Sequence, residues 1–254
     1  MRRLFFGLLG VLAVLPMGAQ SQGTQFDGTF AYTARDEITL PGDTEEIDND
    51  IARFVGGIRW SAGDGAMRAA LELGFGNDDN WSGSYPANYG GELVFARQVG
   101  NQRYGIGARV RTADQLSTST EIAYAIERIG TAVDLRGLLG VQLLADDDKV
   151  PGRDGAGYFA QGEATFYASD ALALSAGLLA DIDGEAYGLG VEYRPAGWGM
   201  SFFLEYSEAF DDYRDFESYD EFSGGIRIVP GSTSLKSQRQ GGLGRILQRY
   251  MEVQ

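Results

Sequence analysis

The sequence predicts a single closed, antiparallel, all-β barrel of about twelve strands in up-and-down order, with an exterior that touches lipid. Three observations carry this. Segments of strand length alternate apolar and polar residues with period two. One parity of every segment is free of charge. Long acidic connections alternate with short, glycine-rich ones, so the two ends of the strands face different surroundings.

The strands follow in order from Gln25. The first, Phe26 to Arg35, presents Phe26, Gly28, Phe30, Tyr32 and Ala34 on its outer parity, and the second, Ile51 to Ser61, presents Ala52, Phe54, Gly56, Ile58 and Trp60. The third uses Met67, Ala69, Leu71, Leu73 and Phe75; the fourth, Tyr89, Gly91, Leu93 and Phe95; the fifth, Tyr104, Ile106, Ala108 and Val110; the sixth, Ile122, Tyr124 and Ile126. The seventh offers Val133 to Leu143 at every second residue, the eighth Tyr158 to Phe166, and the ninth Leu172 to Ala180. The tenth offers Tyr187, Leu189, Val191 and Tyr193, the eleventh Trp198 to Tyr206, and the twelfth Phe222, Gly224, Ile226 and Ile228.

Charges occupy the opposite parity, among them Arg53, Arg59, Arg68, Glu72, Glu92, Arg103, Arg109, Arg111, Arg136, Glu163, Glu192, Glu205 and Arg227. A soluble sandwich would turn the apolar face inward, and alternation alone cannot separate the two cases. Loop asymmetry does. Gly63-Asp64-Gly65, Val99-Gly100-Asn101, Gly130-Thr131, Ser169-Asp170 and Pro195-Ala196-Gly197 are short. On the other side, Asp36 to Asp50 holds seven acids and no base, and Glu208 to Asp220 six acids and one arginine. Outer-parity aromatics also sort to strand ends. Phe26, Trp60, Phe95, Tyr104, Phe166, Tyr193 and Trp198 make a lower ring, and Phe75, Tyr89, Tyr158, Tyr187, Tyr206 and Phe222 an upper one. Two girdles around an aliphatic band match a bilayer with two interfaces. An even strand number returns the chain to its starting side, and closure hides every edge from lipid.

The chain has 254 residues, a net charge of −15, no cysteine and no histidine. Its acidity argues against nucleic acid, which needs a basic footprint. Disulfides and thiolate chemistry are excluded, and the commonest general base and transition-metal ligand is missing. Arg2 and Arg3, the apolar run Leu4 to Leu15, and Pro16-Met17-Gly18-Ala19 read as a secretory leader cleaved near Ala19. The expected division is a leader over residues 1–19, the barrel over 20–230, and a basic tail over 231–254 on the short-turn, periplasmic side. That tail carries Lys236, Arg239, Arg245 and Arg249, and the spacing of Leu243, Ile246, Leu247, Tyr250 and Met251 predicts a short amphipathic helix after Gly241-Gly242. Three placements stay open for it: a periplasmic extension, a plug inside the barrel, or a helix lying on the inner leaflet.

From Phe26 to Val229 this pattern resembles the porin-like outer-membrane β-barrels of Gram-negative bacteria. The resemblance implies export, residence in the outer membrane, and ion or solute transport. One feature departs from it. Such barrels end in a strand with a terminal aromatic, whereas here about 25 residues follow Val229.

The inner parity then carries the chemistry. Arg53, Arg59, Arg68, Arg103, Arg109 and Arg111 form a basic arc, Arg136 stands on the seventh strand, and Glu163, Glu192 and Glu205 form an acidic arc across the barrel. These ten residues are the candidate pore lining, and their transverse field would orient polar solutes. A salt-bridge lattice filling the lumen is the competing reading, because twelve strands fall between a packed barrel and an open channel. Inward glycines at positions 57, 74, 90, 105, 107, 140, 188, 190 and 225 favour free volume, and inward Leu138, Phe159, Tyr167 and Phe203 oppose it. No catalytic site is expected, since a nucleophile–histidine pair cannot be built. No cofactor or resident metal is expected either. Asp146-Asp147-Asp148 and Asp181 to Glu185 are oxygen-rich and could hold divalent cations, but solvated loops explain them better. The functional expectation is a narrow channel for passive diffusion of ions or small polar solutes. The alternative is a non-conducting structural or surface-interaction barrel, its acidic loops bridging lipopolysaccharide through divalent cations.

Overall fold

The computed structural model describes residues 24–36, 38–39, 46–47, 50–77, 87–113, 117–146, 155–181, 184–210 and 220–249. The leader, most of the two acidic loops and the Asp147–Asp148 pair lie outside them. The strands are β1 (Thr24–Asp36), β2 (Ile38–Thr39), β3 (Glu46–Ile47), β4 (Asp50–Ala62), β5 (Gly65–Asn77), β6 (Ala87–Val99) and β7 (Gln102–Ala113). They continue with β8 (Ser117–Arg128), β9 (Val133–Asp146), β10 (Gly155–Ser169), β11 (Leu172–Asp181), β12 (Gly184–Tyr193), β13 (Met200–Ala209) and β14 (Asp220–Ile228). One helix, α1 (Leu235–Gly241), follows.

Twelve of these strands form one closed barrel; β2 and β3 pair only with each other. Each barrel strand is antiparallel to its sequence neighbour, and β1 closes the cylinder against β14, with Gly28 opposite Ile228 and Asp36 opposite Asp220. The hydroxyls of Thr33 and Ser223 share a hydrogen bond of 3.0 Å across that seam. Every edge of the twelve barrel strands is therefore paired, as hydrocarbon requires.

The parity expected from the sequence is the parity observed. Leu71, at the middle of β5, is 73% exposed, and Leu73, Leu93, Ile106, Ile122, Leu139, Leu178 and Leu204 are exposed with it. Inward neighbours such as Arg68, Arg109, Glu121, Glu163 and Glu192 are buried. The register puts Phe95 opposite Met67 and Ile106, and Phe166 opposite Val133 and Leu174, near the short-turn end. Tyr206 stands opposite Leu189 and Phe222 toward the long-loop end. Trp198 precedes β13 instead of opening it, yet still packs on Phe202 at 6.0 Å between ring centroids.

Gly63 and Gly100, at φ 58° and 62°, make two-residue connections from β4 to β5 and from β6 to β7. That left-handed backbone suits glycine and matches the twist of paired strands. Gly231, at φ 81°, does something different. It turns the chain after β14 back toward the barrel mouth.

The tail is where expectation and structure part. From Leu235 to Arg249 the tail lies inside the lumen, the plug among the three placements left open: Leu235, Leu243, Ile246, Leu247 and Arg249 are all buried. The helix ends at Gly241, with Gly242 as its C-cap, instead of following the two glycines. Ser234 caps it, accepting from the Ser237 amide at 3.1 Å while the Ser234 amide donates to the Ser237 hydroxyl at 3.0 Å. Between Gly242 and Arg249 the chain makes tight turns, the Ile246 amide to the Leu243 carbonyl and the Gln248 amide to the Arg245 carbonyl. Glycines at 241, 242 and 244 disfavour a continuous helix. Wall arginines also take the carbonyls that a helix would use, as described next.

Candidate functional site

The lumen holds two unlike walls with the tail threaded between them. On the short-turn side the tail is tied by three hydrogen bonds to two connections, β8–β9 and β10–β11. The Leu235 amide donates to the Asp170 carbonyl at 2.8 Å, the Lys236 ammonium to the Thr131 carbonyl, and the Gln240 amide nitrogen to the Gly130 carbonyl at 3.0 Å. Arg194, just after β12, donates to Ser232 and, at 2.7 Å, to the side chain of Gln238. The chain then climbs toward the long-loop end, reaching the level of Glu121, Gln142 and Asp181 at Arg249.

The basic arc recognises the tail's backbone. Arg59 donates to the Gly241 carbonyl, Arg103 to that of Gln240 at 2.5 Å, Arg109 to that of Leu247, and Arg136 to that of Arg245. Arginine suits this role, since its several donors can hold a carbonyl and a carboxylate together. Arg103 also pairs with Glu127, Arg136 with Glu163 at 2.8 Å, and Arg109 lies 3.6 Å from Glu92 and 3.7 Å from Glu121.

The acidic arc recognises the tail's side chains. Arg239 reaches Glu192 at 2.6 Å and Glu163 at 3.6 Å. Arg245 lies 3.3 Å from both Glu163 and Glu205. Arg249 bonds Glu121 and the Gln142 side chain at 2.8 Å each, with its guanidinium 4.1 Å over the Phe159 ring. Wall arginines meet the same carboxylates: Arg227 contacts Glu192 at 2.9 Å and Glu205 at 2.6 Å. In a buried setting such pairs define position more than they add stability, because desolvation offsets much of the attraction.

An apolar patch completes the seat. Leu138, Phe159, Leu179 and Ala186 line the wall, and Leu243, Ile246 and Leu247 pack against them together with Val94, Ala96, Ala123 and Ala125. Burying such a side chain contributes about 1.5–3 kcal/mol. Gly105 and Gly107 make the remaining room: a Cβ at Gly105 would stand 2.9 Å from Ile246 Cγ2, and one at Gly107 2.6 Å from Leu247 Cδ1. Several other inward glycines are likewise filled. Gly140 receives Phe159, Gly225 receives Phe203, and Gly57 receives the Arg68 guanidinium. These glycines mark notches for neighbouring side chains, not the open space expected of them.

All ten candidate pore-lining residues point inward, but they divide. Arg53, Arg59, Arg68, Arg109, Arg111, Glu192 and Glu205 border a cavity of about 430 Å³ beside the tail. It runs from Gln25, Asp27 and Arg59 near the short turns to Arg53, Glu72 and Arg111 near the long-loop end, and the tail from Gly231 to Gln248 forms its other wall. Its lining carries eight arginines and five carboxylates. Arg68 bridges Asp27 at 2.5 Å and Glu92 at 2.6 Å, and Arg111 lies 3.1 Å from Glu72. Arg103, Arg136 and Glu163 stand apart from this cavity, bordering a small side recess near the tail. The expected transverse field is accordingly redrawn, because tail arginines sit on the acidic arc.

Sequence reasoning passed over Arg239, Arg245, Arg249, Glu121 and Gln142 as site residues. The signal that could have found them is the cluster of inward Leu138, Phe159 and Leu179 in an otherwise polar lumen, which needs an apolar partner such as Leu243, Ile246 and Leu247. Among the described residues, no group of three or more acids is arranged to hold a metal ion.

No family model matches the chain, and no curated protein matches its sequence. Solved structures do match the fold. An outer-membrane channel from Pseudomonas putida F1 is similar at a TM-score of 0.64 and 9% identity, covering 85% of this chain and 98% of that one. The NanC porin is similar at 0.55 and 9%, covering 80% and 98%. Outer membrane phospholipase A from Escherichia coli, an enzyme, is similar at 0.51 and 10%, covering 83% and 93%. The chain has the fold of the porin-like outer-membrane β-barrels, a channel-like cylinder that carries its own C-terminal segment in the lumen.

Proposed function

We propose that this protein is a narrow outer-membrane channel for passive diffusion of ions or small polar solutes, exported by the leader expected at residues 1–19. The observation that carries this reading is the charged cavity of about 430 Å³ beside the tail, extending along most of the barrel's height. A barrel that served only as a membrane fixture would gain more from an apolar filling than from so many buried ions. The excess of arginine over carboxylate in the lining favours anions, against the acidity of the chain as a whole. Absence of histidine removes the usual base for hydrolytic chemistry, which sets this chain apart from an enzymatic use of the same fold.

Liposome swelling tests it. Vesicles carrying the folded protein should swell in isotonic solutions of small polar solutes, faster for anions than for cations of similar size, and not for solutes too large for the cavity. Vesicles that never swell, with the barrel folded, would favour the non-conducting structural or surface-interaction barrel instead. In that case the acidic loops, with lipopolysaccharide and divalent cations as their partners, become the functional surface.

A further inference from the structure

We propose that residues 231–249 are a releasable plug, held in the lumen by contacts that the barrel wall can do without. This rests on the channel reading above, since the plug would set how wide that channel is.

The argument begins with the wall's own pairing. Glu163 pairs with Arg136 at 2.8 Å, Glu192 with Arg227 at 2.9 Å, and Glu205 with Arg227 at 2.6 Å, contacts made wholly within the barrel wall. Glu121 lies 3.7 Å from Arg109. Departure of Arg239, Arg245 and Arg249 therefore leaves each of these four carboxylates near a wall cation, with Glu192 and Glu205 sharing Arg227, while Asp181 loses its contact with Arg249. A fixed core would behave otherwise, because removing one member of a buried pair usually leaves an uncompensated charge. The tail's attachments to the arginine wall are likewise carbonyl contacts, which water can replace on both partners.

Geometry favours exit toward the short turns. Gly231 turns the chain at the mouth, and Gly241, Gly242 and Gly244 interrupt the segment inside it. Space for a Cβ is open at Gly241, so the bend there is not wedged by a neighbour. The cavity of about 430 Å³ already lies between much of the tail and the β1, β4 and β5 wall, crossed by the contact of Arg59 with the Gly241 carbonyl. The apolar side chains of Leu235, Leu243, Ile246 and Leu247 must leave a dry seat, and Gln238 and Arg249 must leave buried polar ones. The plug is thus a low-stability element packed inside a high-stability one, the usual basis of a gate.

The absence of native cysteine allows a direct test on the full-length chain. With Ile246→Cys alone, a membrane-impermeant maleimide should label the folded barrel, and adding Arg239→Gln and Arg245→Gln should raise the labelling rate roughly tenfold. Labelling no faster than at an inward control, Leu138→Cys, in both backgrounds would overturn the plug and leave the channel reading standing. The pair Gly105→Cys and Ile246→Cys supplies the second arm, because the two positions touch across the lumen. Oxidised, this protein should keep only the small conductance of the cavity beside the seated tail in a planar bilayer, and reduction should raise it several-fold. Current equal in both redox states would overturn the plug as an occluder. Redox-gated labelling at position 246 with no current in either state would support release and defeat the channel reading.

Discussion

Arg103 and Arg59 illustrate how much a lumen residue depends on what stands opposite it. Both face inward, both belong to one basic arc, and both hold a carbonyl of the tail. Arg103 is buried against Glu127 and away from the main cavity, while Arg59 borders that cavity. Charge reversal at Arg59 or Arg53 should move the reversal potential of the channel toward cations. Arg103→Gln, which removes charge from a pair outside the path, should leave it nearly unchanged. Reversal potentials measured under a salt gradient check both outcomes, and an equal shift for Arg59 and Arg103 would place the path elsewhere. Parity alone told which side chains point inward, because a strand's alternation depends only on local geometry. It could not tell which arginine meets a carboxylate and which meets a carbonyl. Those partners come from residues up to 182 positions apart in the chain.

At the scale of elements, the strands were legible and the tail was not. Outer-parity residues between the strand ends shared one requirement, an uncharged surface against lipid, so one rule covered the middle of all twelve barrel strands, and charges such as Arg97 and Arg128 fall only at strand ends. Leu71, at the middle of β5 and 73% exposed, tests that rule. Leu71→Arg should destabilise the folded barrel by about 2–4 kcal/mol, the cost of arginine near the bilayer midplane. Leu71→Ala should cost far less. Urea titration of folding into lipid vesicles measures both, and an indifferent Leu71→Arg would mean that this face does not meet hydrocarbon. For the tail, apolar spacing at Leu243, Ile246 and Leu247 correctly marked a buried face but misplaced the helix. Glycines at 241, 242 and 244, together with the demand of Arg136 and Arg109 for carbonyls, favour turns there. Such a choice is made by tertiary contacts, and local propensity has little hold on it.

For the whole molecule, twelve strands enclose more space than their own side chains fill, and the chain returns from β14 to occupy part of it. The two lumen arcs thereby acquire a common purpose. One holds the tail's carbonyls, the other its guanidinium groups, and the space left over is bordered by more cations than anions. The closed twelve-strand fold could be read from strands, turns and loops. The filling of the lumen could not, because nothing local distinguishes a segment that trails from the barrel from one that re-enters it. The most direct measurement is single-channel recording of the full-length protein in a planar bilayer under a potassium chloride gradient. The predicted result is discrete, small conductance steps with a reversal potential on the chloride side. A folded barrel that stays silent at every voltage, or one that clearly prefers potassium, would contradict the account.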